Sequence, residues 1–171
     1  DNTIVIYTSD HGACEDKSTI YQGGVHIPCV MQWPGVITSG RTISALCQNI
    51  DWLPTFAEIA GADVPDDIVI DGASLVPLLR GETHEVDGRE DLYFEFGHTR
   101  GVRTPRWKYI AFRLPPDSID KMKHGEYDRA CDHNGHTFDV AKCLCVERHP
   151  DFFAADQLYD LAADPDETRN L

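Results

Sequence analysis

The sequence predicts an α/β fold on three observations: a β-branched run that ends abruptly in a polar turn, an amphipathic helical stretch further on, and a late cluster of aromatic strand segments. The first is Thr3-Ile4-Val5-Ile6-Tyr7-Thr8, flanked by Asp1-Asn2 and by Ser9-Asp10-His11-Gly12. Its shortness and β-branched content indicate a buried central strand rather than a helix. In open α/β sheets ligands gather beyond the carboxyl ends of the strands, so the adjacent Asp10 and His11 fall where a site is expected. Gly12 lets the backbone turn away there. A second apolar strand, Cys29-Val30-Met31-Gln32-Trp33, is closed by Pro34-Gly35.

Taken in order, residues 36–40 form a turn and 41–47 a short extended segment with imperfect alternation. A helix follows, with Asp51 as its N-cap, Pro54 in the tolerated first turn, and Leu53, Phe56, Ala57, Ile59 and Ala60 as a core-packing stripe that stops at Gly61. Ser74 caps a short helix ending near Gly81. The acidic stretch 82–91 is a connector, after which 92–96, 101–104 and 107–112 suit an antiparallel meander. The division predicted is 1–84 for an α/β part and 85–171 for a small antiparallel subdomain carrying an insertion at 114–156.

A chain of 171 residues is one domain's worth, yet it begins without Met inside a strand pattern and is expected to be a fragment. Its formal net charge of −14 argues against nucleic acid and anionic membrane surfaces, which demand basic patches. No apolar run approaches the roughly 18 residues needed to span a bilayer, and no signal-peptide pattern is visible.

Asp10 and His11 admit a plain explanation, since Asp after a strand commonly bonds nearby backbone NH groups as a turn former. The spacing raises them above it. Lys17 and then Tyr21-Gln22-Gly23-Gly24-Val25-His26-Ile27-Pro28 follow, and an oxyanion could sit between a metal and that lysine. Thr8-Ser9-Asp10-His11-Gly12, Lys17-Ser18-Thr19-Ile20-Tyr21-Gln22-Gly23-Gly24, Pro28 and Trp33-Pro34-Gly35 together resemble the C-terminal part of a type I sulfatase. Sulfatases are formylglycine-dependent sulfuric ester hydrolases of the alkaline phosphatase superfamily.

The resemblance implies a mixed sheet sandwiched by helices, with a small antiparallel sheet after it. It implies hydrolysis of sulfate esters of a small molecule or carbohydrate, a calcium ion held by Asp10 and His11 (where many members have Asn), and Lys17 on the sulfate and leaving-group oxygens. Asp10 offers the hard oxygen that Ca²⁺ prefers, whereas an imidazole is a softer donor and His11 could touch the nucleophile or sulfate instead. Metal and lysine together would neutralise charge developing on the ester. His98 lies where this subdomain borders the substrate cleft in sulfatases, although a loop histidine is more often solvated surface. His26 stands where many relatives carry Arg, and either tunes pH dependence or is a satisfied histidine at a strand start. The family's commonest setting, periplasmic or extracellular, is the expected location.

None of the six cysteines, at 14, 29, 47, 131, 143 and 145, opens the family's Cys-x-Pro-x-Arg formylglycine motif, and its N-terminal paired-Asp metal motif is also missing. The chain alone is therefore expected to be inactive. Two rivals remain: a phosphate or phosphonate ester hydrolase of the same superfamily, and a pseudo-enzyme that binds sulfated glycans without turnover. Within the insertion a polar helix over 117–130 is expected, and Cys131, Cys143 and Cys145 with nearby histidines leave a disulfide, a zinc site and free thiols open. The insertion itself is either a wall shaping substrate choice or a surface excursion. Cys14 is taken as structural. The closing stretch 161–171, which also resembles sulfatases, is expected to be an exposed stop.

Overall fold

In the computed structural model of the protein, which describes residues 3–12, 16–17, 19–65, 67–124, 130–131, 137–138 and 144–171, the opening run forms strand β1 (Val5–Thr8). The backbone alone is described at 130, 131, 137, 138, 144 and 145. A four-residue helix, α1 (Gln22–Val25), precedes strand β2 (Cys29–Gln32), which pairs with β1 in a two-stranded sheet. The expected burial of β1 is not found: Val5 is 54% and Tyr7 71% exposed. Its sequence carries the apolar character of a central strand, but its hydrogen-bonded neighbour among the described residues is β2 alone.

Chain contacts group the molecule into two units, Asp1–Tyr7 with Cys29–Leu92, and Thr8–Pro28 with Tyr93–Leu171, a grouping that no single cut along the chain produces. In the first, a 3-10 turn (Asn49–Asp51) leads into helix α2 (Trp52–Ala60), and α3 (Val76–Arg80) follows. Both helices stop at a glycine in the left-handed region, Gly61 at φ 62° and Gly81 at φ 81°, conformations that cost a residue with a Cβ. Leu75, Leu78, Leu79 and Val86 form the core, with Trp52, Ile43 and Ala45 packed against it. Residues 41–47 thus contribute apolar side chains without forming a strand.

Two expectations for α2 are corrected. Asp51 does not cap it, because the preceding 3-10 turn leaves Asp51 already helical at φ −76°, ψ −16°. Its fully buried carboxylate instead accepts from the Gln48 and Ala73 amides at 2.7 and 3.0 Å and meets Arg89 through two bonds of 2.5 and 2.6 Å. Nor does the Leu53–Phe56 stripe face the core, since those side chains are 60% and 45% exposed. The inward face is set by Thr55, whose hydroxyl donates to the Asp51 carbonyl at 2.6 Å and accepts from the Leu75 amide at 2.9 Å. Trp52 and Ile59, three back and four on, share that face, while 53, 56 and 60 turn outward. Nor is Ser74 the cap of α3: the N-cap is Leu75, with no side-chain cap bond, and the Ser74 hydroxyl one residue earlier accepts from the Val76 amide at 3.2 Å.

In the second unit β3 (Leu92–Phe96), β4 (Thr99–Arg103) and β5 (Trp107–Phe112) follow one another, the first and third at the predicted positions. Helix α4 (Pro116–Lys123) is shorter than the polar helix expected over 117–130, whose residues 125–129 lie outside the described set. Strands β6 (Ala130–Cys131) and β7 (Thr137–Phe138) pair antiparallel, helix α5 (Leu144–Arg148) follows, and β8 (Asp156–Asp160) completes a sheet ordered β3-β4-β5-β8. β5 pairs antiparallel with both neighbours, so Lys108 faces Arg103 on one side and Tyr159 on the other. Alternation turns Lys108 and Ile110 inward and Trp107 and Tyr109 outward.

The core of this unit gathers Ile20, Tyr21, Ile110, Phe152, Tyr159 and Leu161. Phe152 and Met122 are buried, so the insertion sends side chains inward and is no mere surface excursion at those points. Cys29 and Cys47 are free thiols. Cys14 and Cys143 lie outside the described residues, as do the side chains of Cys131 and Cys145, and with them the disulfide and zinc alternatives. No helix among the described residues is long and apolar enough to cross a membrane.

Removing Arg89 leaves the buried Asp51 carboxylate without its ionic partner, which costs about 3–5 kcal/mol. Urea unfolding of Arg89→Ala in the full-length protein is expected to show a loss of that size, and an unchanged midpoint would contradict it. Burial alone would raise the Asp51 carboxyl, but the Arg89, Gln48 and Ala73 bonds hold it below the usual carboxylate range. Its stabilisation is therefore complete above the unfolded value of about 4 and is lost as pH falls through the lower folded value.

Candidate functional site

Residues 8–28 leave β1 as a loop closed by its own backbone. Thr8 Oγ1 donates to the Pro28 carbonyl at 3.0 Å, and the Gly12 amide donates to the Gly24 carbonyl at 2.9 Å. Gly12 is needed for this close approach rather than for a turn, since a Cβ there would fall 1.7 Å from the Gly23 carbonyl oxygen. Gly23 in turn lies against Asp16, where a Cβ would fall 2.0 Å from Oδ2. The Thr19 amide and hydroxyl both donate to the Asp16 carbonyl, at 3.1 and 2.8 Å.

At the head of this loop Asp10 and His11 meet. Asp10 Oδ1 accepts from the His11 amide at 3.0 Å, and Oδ2 stands 3.5 Å from His11 Nε2. The Asp10 side chain is 85% exposed and that of His11 43%. His11 Nδ1 lies 2.8 Å from the Gly12 carbonyl, which can only accept, so Nδ1 carries the proton and Nε2 is the nitrogen left for a neutral ring to offer. The arrangement accommodates both the turn-forming and the ligating reading: one oxygen is engaged locally, and a second oxygen and an imidazole nitrogen are presented together. Among the described residues no group of three or more His, Cys, Asp or Glu is gathered to hold a metal.

Lys17 is exposed and sits in the same loop, immediately after a fully buried aspartate. His26 ends α1, its amide donating to the Gln22 carbonyl at 2.8 Å, and its side chain is exposed. His98 occupies the turn between β3 and β4, exposed, its carbonyl accepting from the Arg113 amide at 3.0 Å. Among the described residues no hydrogen bond or ion pair joins Lys17, His26 or His98 to the Asp10–His11 pair.

Beneath the loop lies a charged cluster that sequence reasoning missed. Asp16, Lys108, His149 and Glu167 are each at most 1% exposed. His149 Nε2 is 3.0 Å from Asp16 Oδ1, and Arg148 Nη1 is 3.3 Å from Asp16 Oδ2. Lys108 Nζ stands 2.8 Å from Glu167 Oε1 as an ion contact lying off the hydrogen-bonding direction. Burial pushes the Lys108 ammonium below its ordinary range, and Glu167 opposes that push. The other Glu167 oxygen accepts from the Gln22 amide at 2.5 Å, at the start of α1. Tyr21 is tied in as well, donating to Gln157 Oε1 at 2.6 Å, and burial raises its phenol above the ordinary range.

Glu167 corrects the expectation of an exposed closing stretch. Asp164 accepts from the Thr168 hydroxyl at 3.0 Å and the Arg169 amide at 2.8 Å, forming the expected Asp-Pro turn. That turn holds Glu167 at φ 55° and aims its side chain into the core. The available signal was Lys108: a lysine on the inward face of a strand requires a buried acid.

Residues 9–134 match the family model described as N-sulphoglucosamine sulphohydrolase, C-terminal. The chain is 34% identical over 179 residues to the ulvan-active sulfatase of Formosa agariphila, covering 100% of this chain and 33% of that protein. It is 30% identical over 193 residues to the steryl-sulfatase of Mus musculus, covering 99% and 29% respectively. A solved structure of a protein in complex with its substrate D-glucosamine-2-N,6-O-disulfate superposes with a TM-score of 0.66 at 30% identity, over 99% of this chain and 30% of that one. The chain thus spans about a third of the length of the curated relatives it matches.

Breaking the Lys108–Glu167 pair leaves a buried charge without its counter-ion, at a cost of about 3–5 kcal/mol. Lys108→Met is therefore expected to lower the urea midpoint of the full-length protein markedly, and Lys108→Met with Glu167→Gln to lower it less. Equal losses in the single and double variants would contradict the pairing.

Proposed function

We propose, from the premise that this chain belongs to the sulfatase family, that it is the C-terminal portion of an exported enzyme that hydrolyses sulfate esters of a sulfated carbohydrate. The observation that carries the reading is the family match over residues 9–134, which opens on the Ser9-Asp10-His11-Gly12 loop. The sugar class is supported by the similar structure whose substrate is a glucosamine disulfate. No cysteine of this chain opens a Cys-x-Pro-x-Arg motif, so its contribution is to bind and neutralise rather than to attack.

Asp10 would hold a calcium ion through its accessible carboxylate, a hard oxygen donor that suits it, with His11 Nε2 presented beside it. When bound, the ion supplies positive charge at the ester oxygens. Lys17 extends from the same loop and supplies a second cation, a compact ammonium for the sulfuryl and leaving-group oxygens. A lysine in water carries little preference for one anion, but one fixed opposite a metal favours the charge that develops as the S–O bond breaks. His26 and His98, both exposed in the same unit, are assigned to the substrate side of the site.

In the full-length protein Asp10→Ala is expected to lose calcium, read by metal analysis, together with hydrolysis of a chromogenic aryl sulfate. Retained metal would defeat the ligand assignment. Lys17→Ala is expected to keep the metal and lose on the order of 100-fold in turnover, the scale of a removed transition-state donor. The 171-residue chain alone is expected to show no turnover. Turnover by that chain would overturn the division of labour.

A further inference from the structure

The residue that fixes the Lys17 loop comes from the far end of the long insertion. His149 follows α5 and is 1% exposed. Its Nδ1 is 2.9 Å from the Glu167 carbonyl and its Nε2 3.0 Å from Asp16 Oδ1. The Glu167 carbonyl can only accept, so Nδ1 donates to it, and Nε2 is left facing the Asp16 carboxyl. Its face lies on Tyr21, with centroids 3.6 Å apart and planes 5° from parallel. Asp16 and Tyr21 are the two shoulders of the turn that bears Lys17, and one imidazole touches both.

The carboxylate next to Lys17 is also a competitor. An aspartate one residue from an exposed lysine could pair with it and occupy the ammonium that a sulfate oxygen requires. Here Asp16 is turned inward, one oxygen on His149 and the other 3.3 Å from Arg148. Lys17 remains exposed.

Resting on the role given to Lys17 above, we propose that His149 is a positioning residue for sulfate-ester hydrolysis: by engaging Asp16 and Tyr21 it sets where the Lys17 ammonium stands and keeps the neighbouring carboxylate away from it. The insertion acts through its last residues as a brace beneath the site. The same contacts make residues 149–152 integral to the fold, because His149 and Phe152 are buried there.

Two readouts in the full-length protein test this. His149→Phe keeps the ring on Tyr21 and removes both ring-nitrogen contacts; His149→Gln keeps a donor and is the milder variant should the first fold poorly. Hydrogen exchange of the amides from Thr19 to His26 needs no substrate, and faster exchange in either variant is the expected result. Unchanged protection would overturn the brace. In an aryl sulfate assay His149→Phe is expected to lower kcat/KM on the order of 100-fold, as small displacements of a positioned group do. In a Lys17→Ala background the same substitution is expected to cost little, since the group it positions is gone. An equal loss in both backgrounds would reduce His149 to general structural support and overturn the positioning role. Lys17→Ala alone judges the underlying reading: wild-type activity there overturns the role of Lys17 and the proposal with it, whatever the exchange data show for the brace.

Discussion

The pairing of buried Asp16 with His149 closes a sequence separation of 133 residues, and the second unit depends on it. Among its described residues the loop 8–28 contains one four-residue helix, and the backbone bonds they make lie within the loop. Polar contacts fasten it to the end of the insertion, the sheet and the closing stretch: Asp16 to His149 and Arg148, Tyr21 to Gln157, and the Gln22 amide to Glu167. Each places polar atoms where water is excluded, so each is costly if left single and directional when complete. An apolar contact could hold the loop as firmly, but would fix its orientation less strictly. The precision falls on Lys17, whose backbone is anchored by its buried neighbour while its side chain remains in solvent.

The glycines obey the same constraint from the other side. Gly12, Gly23 and Gly24 lie so close to backbone or to Asp16 that no Cβ fits beside any of them. The Gln22-Gly23-Gly24 stretch is therefore the inner wall against which Asp16 is pressed. Substrate contact is not needed to explain it. The exposed Asp10 and His11 stand at one end of this closely packed loop and Lys17 in its middle. The net charge of −14 disfavours an anionic partner at long range, but screening over about 8 Å lets a local cation such as Lys17 prevail.

Much of the fold was legible because local pattern and tertiary role agreed. Strands β3 and β5 show the alternation of a half-buried sheet, and Gly61 and Gly81 stop helices where a left-handed residue is required. Reading failed where a distant partner decided the outcome. The apolar residues of α2 suggested a stripe through Leu53 and Phe56, but hydrogen bonds of Thr55 to Asp51 and Leu75 select the other face. Asp51 has the chemistry of an N-cap, yet Arg89, 38 residues on, claims its carboxylate. Glu167 sits in a stretch that is polar by composition and is buried because Lys108 is. For the candidate site, the motif shared with the family singles out Asp10, His11 and Lys17 in the sequence, whereas nothing singles out Asp16 and His149, since no local pattern distinguishes a buried acid or imidazole from a solvated one.

The central claim is that this loop presents an anion site built from Asp10 and Lys17. It is tested most directly by a crystal structure of the full-length protein with calcium and a sulfated glucosamine. The account predicts a carboxylate oxygen of Asp10 on the metal and the Lys17 ammonium within hydrogen-bonding distance of a sulfate oxygen, with Asp16 still turned inward onto His149. A sulfate group bound elsewhere, with Lys17 free or paired to Asp16, would contradict it.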